Sequence, residues 1–130
     1  MEEHVQVAEL KHELITRTVI GCAFEVINEL GAEGFNPIER NGCNDIFAIR
    51  QEYPHTLLFG NVCCETTLPY GTPQNVENET LELIRKLGPS GGILIGSSSE
   101  VHDLIPAENA LRMYATVWKY GGYPIKLETV

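Results

Sequence analysis

The sequence predicts an α/β chain: a partial (β/α) barrel of about three parallel βα units, preceded by a long N-terminal helix. Three observations carry this. Two short apolar runs, Leu57-Leu58-Phe59-Gly60-Asn61-Val62 and Gly92-Ile93-Leu94-Ile95-Gly96, are too short for buried helices and end in small or polar residues, which reads as strands buried on both faces. Between them lies a punctuated helix: Thr72 is an N-cap, Pro73 suits the first helical position, Leu83, Ile84 and Leu87 form an apolar stripe, and Gly88-Pro89 ends it. A strand, a helix and a strand joined by so long a crossover make a parallel pair.

The remaining elements follow in chain order. Residues 8–30 read as one helix in which Val19, Ile20, Ala23, Phe24, Val26, Ile27 and Leu30 fill a wide apolar arc, with Gly31 as its C-terminal stop. An arc that wide calls for a broad partner, either a sheet face or another subunit. The stretch Gly34-Phe35-Asn36-Pro37-Ile38-Glu39 is a short strand held to an edge or strand end by Pro37, which has no N–H to donate. Asn44 or Asp45 caps a short helix through Ile46, Ile49 and Arg50, and Tyr53-Pro54 ends it. Pro106 opens a last helix in which Ala107, Leu111, Tyr114 and Trp118 share a face, and Gly121-Gly122 closes it. The organisation is thus an N-terminal amphipathic helix over 1–31, a (β/α) segment over 32–124 and a tail over 125–130.

Bulk properties narrow the function classes. The chain has 130 residues and a formal net charge of −9, which argues against nucleic acid and against anionic membrane surfaces as partners. No apolar run approaches membrane-spanning length, and the acidic start Met1-Glu2-Glu3-His4 is unlike a secretory signal, so a soluble cytoplasmic protein is expected. In that setting Cys22, Cys43, Cys63 and Cys64 are expected as reduced thiols. A metal site could draw on Cys43, Cys63 or Cys64 together with His102, although the spacing carries no zinc signature. A (β/α) barrel needs eight strands and about 200 residues or more. Three units would leave open strand edges, so the chain is expected to self-associate or to pair with a companion chain.

From 31 to 121 the sequence resembles the C-terminal part of the uroporphyrinogen decarboxylase superfamily, which includes cobalamin-linked methyltransferases on the same barrel. The resemblance rests on Gly34-Phe35-Asn36-Pro37-Ile38-Glu39, Phe59-Gly60-Asn61-Val62 and Thr67-Leu68-Pro69-Tyr70-Gly71-Thr72-Pro73-Gln74-Asn75-Val76. It continues in Leu87-Gly88-Pro89-Ser90-Gly91-Gly92-Ile93-Leu94-Ile95-Gly96-Ser97-Ser98 and in Pro106-Ala107-Glu108-Asn109-Ala110-Leu111-Arg112-Met113-Tyr114. It implies that the three strands correspond to the sixth, seventh and eighth of a barrel, that the ligand is a tetrapyrrole or corrinoid, and that zinc accompanies the methyltransferase branch. Residues 8–31 resemble instead the opening helix of the GxxExxY family, whose naming motif is absent because Pro37 and Arg40 stand where Glu and Tyr would fall.

In such barrels reacting groups sit on loops after the strands' C-terminal ends. The first loop carries Glu39 and Arg40; Glu39 could orient a substrate or a metal-bound water, against the plainer reading of pairing with Arg40 or facing solvent. The second carries Asn61, Cys63, Cys64, Glu65 and Thr66. No Lys or Arg lies near in sequence to stabilise a thiolate, so Cys63 and Cys64 read as small buried hydrophobes, and Asn61, able to donate and accept, is the stronger binding candidate. The third, Ser97-Ser98-Ser99, offers successive backbone N–H groups to a phosphate or carboxylate, against a plain turn with surface serines. The family's decarboxylases commonly place a His near this point and its methyltransferases a zinc-binding Cys; here Ser98 and Ser99 stand there, and the nearest His is His102. The chain also lacks the arginine-rich N-terminal segment and early-strand aspartate that the resemblance would require for a polycarboxylate substrate. The expectation is a barrel segment without turnover of its own; the alternatives are a corrinoid methyltransferase-type relative and a non-enzymatic interaction module.

Overall fold

A computed structural model of the chain describes residues 33–40 and 45–129. The expected helix over 8–30, Cys22, Cys43 and Asn44 lie outside the described residues. The described chain is α/β: strands β1 (Gly34–Phe35), β2 (Leu57–Phe59) and β3 (Ile93–Leu94) form a parallel sheet in the order β1-β2-β3. Helix α1 (Ile46–Glu52) connects β1 to β2, α2 (Thr67–Tyr70) and α3 (Pro73–Leu87) connect β2 to β3, and α4 (Ala107–Tyr120) follows β3. No helix among the described residues is long and apolar enough to cross a membrane.

Helix boundaries follow from local chemistry. The Asp45 carboxylate accepts from the N–H groups of Phe47 and Ala48, satisfying donors that the first turn of α1 leaves open. At α3, Thr72 and Asn75 form a reciprocal capping box, Pro73 sits at the first position, and a 3₁₀ turn at Gly88–Ser90 ends the helix. The short turn α2 was not legible as a helix in the sequence; Pro69 lies within it, and at four residues it is too brief to display periodicity.

The strands are shorter than the apolar runs that encode them. Gly60 takes φ 55°, and a Cβ there would stand 2.5 Å from the Ser97 carbonyl oxygen, so glycine permits a close crossing just after β2. Pairing resumes beyond that break, with Val62 bridging Ser97.

Register decides the two faces of the sheet. Phe35, Leu58 and Ile93 are aligned across the strands and join Ile46 and Ile49 of α1, Leu68 of α2, Val76, Leu83 and Leu87 of α3 and Met113 of α4 in one core cluster. Right-handed crossovers that advance in one direction across a sheet put successive helices on one face. Leu57, Phe59 and Leu94 alternate onto the opposite face, where Leu94 remains 50% exposed.

At the strands' N-terminal end, the buried Arg50 guanidinium donates to the carbonyls of Pro54 (2.9 Å), Thr56 (2.8 Å) and Gly92 (2.7 Å). Its three bonds tie α1, the entry to β2 and the entry to β3 together. Burial pushes its pKa below the usual value, an effect that Tyr123 opposes.

Candidate functional site

The opposite, C-terminal end of the sheet gathers polar side chains from all three strand ends. After β1, the Ile38 N–H bonds the Phe59 carbonyl (3.1 Å), which carries the chain alongside β2 and sets Glu39 over it. After β2, the N–H groups of Asn61 and Val62 share the Gly96 carbonyl, and the Ser98 N–H bonds the Val62 carbonyl (2.8 Å). These backbone bonds lock the second and third loops together before any side chain contributes.

Glu39 is the meeting point. Ser98 Oγ donates to Glu39 Oε2 at 2.5 Å, and Cys63 and Cys64 point their thiols at the two carboxylate oxygens at 3.7 and 3.6 Å. Ser98 Oγ also accepts from the Cys64 N–H at 3.0 Å, and Thr66 donates to the Cys63 sulfur at 3.0 Å. Glu39 therefore neither pairs with Arg40 nor stands free in solvent; it is held between loops from the two other strands.

Arg40 turns away to α3, with Nη1 3.2 Å from Glu79 and Nη2 3.5 Å from Glu82. Glu79 also accepts from the Cys63 N–H at 3.1 Å, and Lys86 pairs with Glu82 at 2.7 Å. Lys86 and Arg40 both approach the Phe47 ring, at 4.3 and 5.5 Å from its centre. An open cleft of about 520 Å3 lies here, lined by Arg40, Cys63, Thr67, Glu79 and Glu82.

Of the other residues singled out in sequence, Asn61 is fully buried, and among the described residues neither its amide oxygen nor its nitrogen has a hydrogen-bond partner; the same holds for the Ser97 hydroxyl. Ser98 is buried in the Glu39 cluster, whereas Ser99 is exposed. His102 Nδ1 accepts from the Leu104 N–H (3.3 Å), which assigns the proton to Nε2 and makes that nitrogen the donor to the Cys64 carbonyl (3.1 Å). His102 thus braces the cysteine loop from behind.

That orientation bears on zinc. Among the described residues no group of three or more His, Cys, Asp or Glu side chains is arranged to hold a metal ion. Within the set Cys63, Cys64 and His102, the histidine nitrogen is spent on a backbone carbonyl. Burial pushes the Cys64 thiol pKa up, the Ser98 hydrogen bond opposes this, and the neighbouring Glu39 charge adds to it. With His102 turned to the Cys64 carbonyl, Cys63, Cys64 and His102 are not gathered around one ion position, and Cys43 lies outside the described residues.

Sequence reasoning placed Thr66 on the second loop without a role and missed Glu79 and Thr67. Glu79 carried a signal: it falls three positions after Val76 and four before Leu83, on the edge of the buried stripe of α3, where a carboxylate needs a dedicated partner. Thr67 carried none, and the part Thr66 plays against Cys63 depends on how the cysteine loop turns. Comparison of the chain with family models, with curated proteins and with solved structures finds no match.

Proposed function

We propose that this chain is a three-unit segment of a uroporphyrinogen decarboxylase-type (β/α) barrel, contributing one wall of a ligand site and having no decarboxylase turnover alone. The observation that carries the reading is the convergence of Glu39, Asn61 and Ser98 at the C-terminal ends of three consecutive parallel strands, the end at which barrel enzymes place their chemistry. One-directional strand order, with the helices on the Leu58 face and Leu57, Phe59 and Leu94 on the other, supports the same reading, because the second face corresponds to a barrel interior. A companion chain supplying further βα units is the occupant this face fits.

Electrostatics support the lack of independent turnover. A substrate bearing several carboxylates needs cations at the mouth of its site. Arg40 is committed to Glu79 and Glu82, and with Glu39 beside it this wall is net negative. Any cationic surface for such a substrate has to come from the companion.

The test is a decarboxylation assay on the purified chain with uroporphyrinogen, followed by co-expression with a polypeptide carrying five preceding βα units. No coproporphyrinogen from the chain alone and co-purification of the two polypeptides are expected. Product formed by the chain alone refutes the inactive-segment reading, and failure of the two to associate refutes the barrel reading.

A further inference from the structure

Helix α4 is amphipathic in an unusual sense: it presents apolar side chains outward as well as inward. Its inward face buries Asn109, Met113 and Thr116, and the Asn109 amide donates to the carbonyls of Leu68 and Gly71 at 2.8 Å each. The outward face carries Leu111 (67% exposed), Tyr114 (55%) and Trp118 (91%). The shared face read from the sequence is therefore real, and it points to solvent. Three large side chains at helical spacing form a continuous stripe, unlike the scattered exposed apolar residues that need no explanation.

We propose that this stripe is a homodimer interface, closing on the same stripe of a second copy across a two-fold axis with the two helices antiparallel. Area and charge both point to a second copy. Aromatic side chains carry about 150–250 Å2 each, so the stripe offers roughly 400 Å2 per copy and about 800 Å2 in a pair, the size of a weak, reversible interface. Leu104, 62% exposed in the turn that leads into the helix, adds to it.

The charges are arranged for self-pairing. Glu108 lies in the first turn of α4 and Lys119 in the last, and helical periodicity puts both on the same flank of the stripe. Antiparallel pairing about a two-fold axis brings like flanks together with their ends exchanged. Glu108 then faces Lys119 of the second copy, Tyr114 meets its own counterpart near the axis, and Leu111 meets Trp118. A parallel arrangement about a two-fold axis would instead put the two Glu108–Lys119 flanks on opposite sides of the seam, where neither charge meets its complement. Within one copy Lys119 rests over the Tyr120 ring at 4.5 Å and hydrogen-bonds Tyr120, an exposed contact with which a carboxylate of the second copy would compete. A net charge of −9 on each copy opposes association, so added salt strengthens this dimer by screening repulsion between mainly apolar contacts. The proposal does not depend on what the Glu39 site binds.

Trp118 is the only tryptophan in the chain, so its fluorescence reports directly on the stripe. The experiment is sedimentation equilibrium with parallel emission spectra from about 1 μM to about 500 μM, a range that brackets weak association. A monomer–dimer equilibrium is expected, with the emission moving to shorter wavelength as dimer forms. Leu111→Glu, on the solvent side and so neutral to folding, is expected to abolish both changes while leaving the thermal midpoint of the monomer unmoved. Lys119→Glu is expected to weaken association about tenfold, and adding Glu108→Lys to restore it. A monomer with solvent-like emission at every concentration overturns the proposal. So does short-wavelength emission that is independent of concentration, which would assign the stripe to the chain's own 8–30 segment. A dimer indifferent to Leu111→Glu overturns it as well.

Discussion

Ser98 and Glu39, 59 positions apart, meet through a 2.5 Å hydrogen bond, and the same serine oxygen accepts from the Cys64 backbone N–H. One hydroxyl therefore joins the loops that follow all three strands. Removing it leaves a half-buried carboxylate and a buried N–H without that partner at once.

Ser98→Ala is expected to destabilise the fold by about 1–3 kcal/mol, the cost of unsatisfied buried polar groups. Urea unfolding is the measurement. A shift in midpoint with unchanged slope locates the loss in the native state rather than in the compactness of the unfolded chain.

Asn61 behaves in the opposite sense. Its amide is fully buried with no hydrogen-bond partner among the described residues, so Asn61→Leu, close in shape and without polar atoms to satisfy, is expected to raise stability by about 1–3 kcal/mol. A residue that weakens its own fold is one that function retains. A drop in urea midpoint for the leucine variant would show that Asn61 is instead needed for the fold.

Arg50 anchors the other end of the sheet. Arg50→Met is expected to cost about 2–4 kcal/mol, since three backbone carbonyls lose a charged donor together. Arg50→Lys recovers only part of this, because a single ammonium cannot span the positions that Nη1 and Nη2 reach separately. Thermal unfolding of the two variants side by side reads the difference.

The acid response has one assignable contributor. The hydrogen bond from Lys86 holds the Glu82 carboxyl below its ordinary value, with Arg40 adding to this against partial burial. A carboxylate with a depressed folded-state pKa contributes stability above its unfolded pKa, and that contribution is lost as pH falls through the folded value. Glu82→Gln is thus expected to be less stable than the parent at neutral pH by about 0.2–1 kcal/mol, the range for an exposed pair, and indistinguishable from it in strong acid. Chemical unfolding at a series of pH values tests this.

Much of the fold was legible because its signals are local. Thr72, Asn75 and Pro73 fix the start of α3 within a single turn, Asp45 does the same for α1, and the apolar runs around Leu58 and Ile93 announced parallel strands. Strand length was less legible: the positive φ angles at Gly60, just after β2, and at Gly91 and Gly92, just before β3, turn the chain at the strand ends, and nothing in hydrophobicity reports them. The candidate site was visible as separate pieces. Glu39, Asn61, Cys63, Cys64 and Ser98 each stood out after a strand, whereas the part Glu79 plays, accepting from both Arg40 and the Cys63 N–H, did not.

By itself the sequence determined the elements, their polarity and the loops on which polar chemistry would fall, because caps, prolines and apolar periodicity act over three or four residues. Only the tertiary structure decided that Glu39 and Ser98 would meet, that Arg40 would be drawn off to α3 and that the Leu111 stripe would face outward. Those outcomes depend on how the crossovers stack helices on one side of the sheet, a relationship between distant segments that no local pattern encodes.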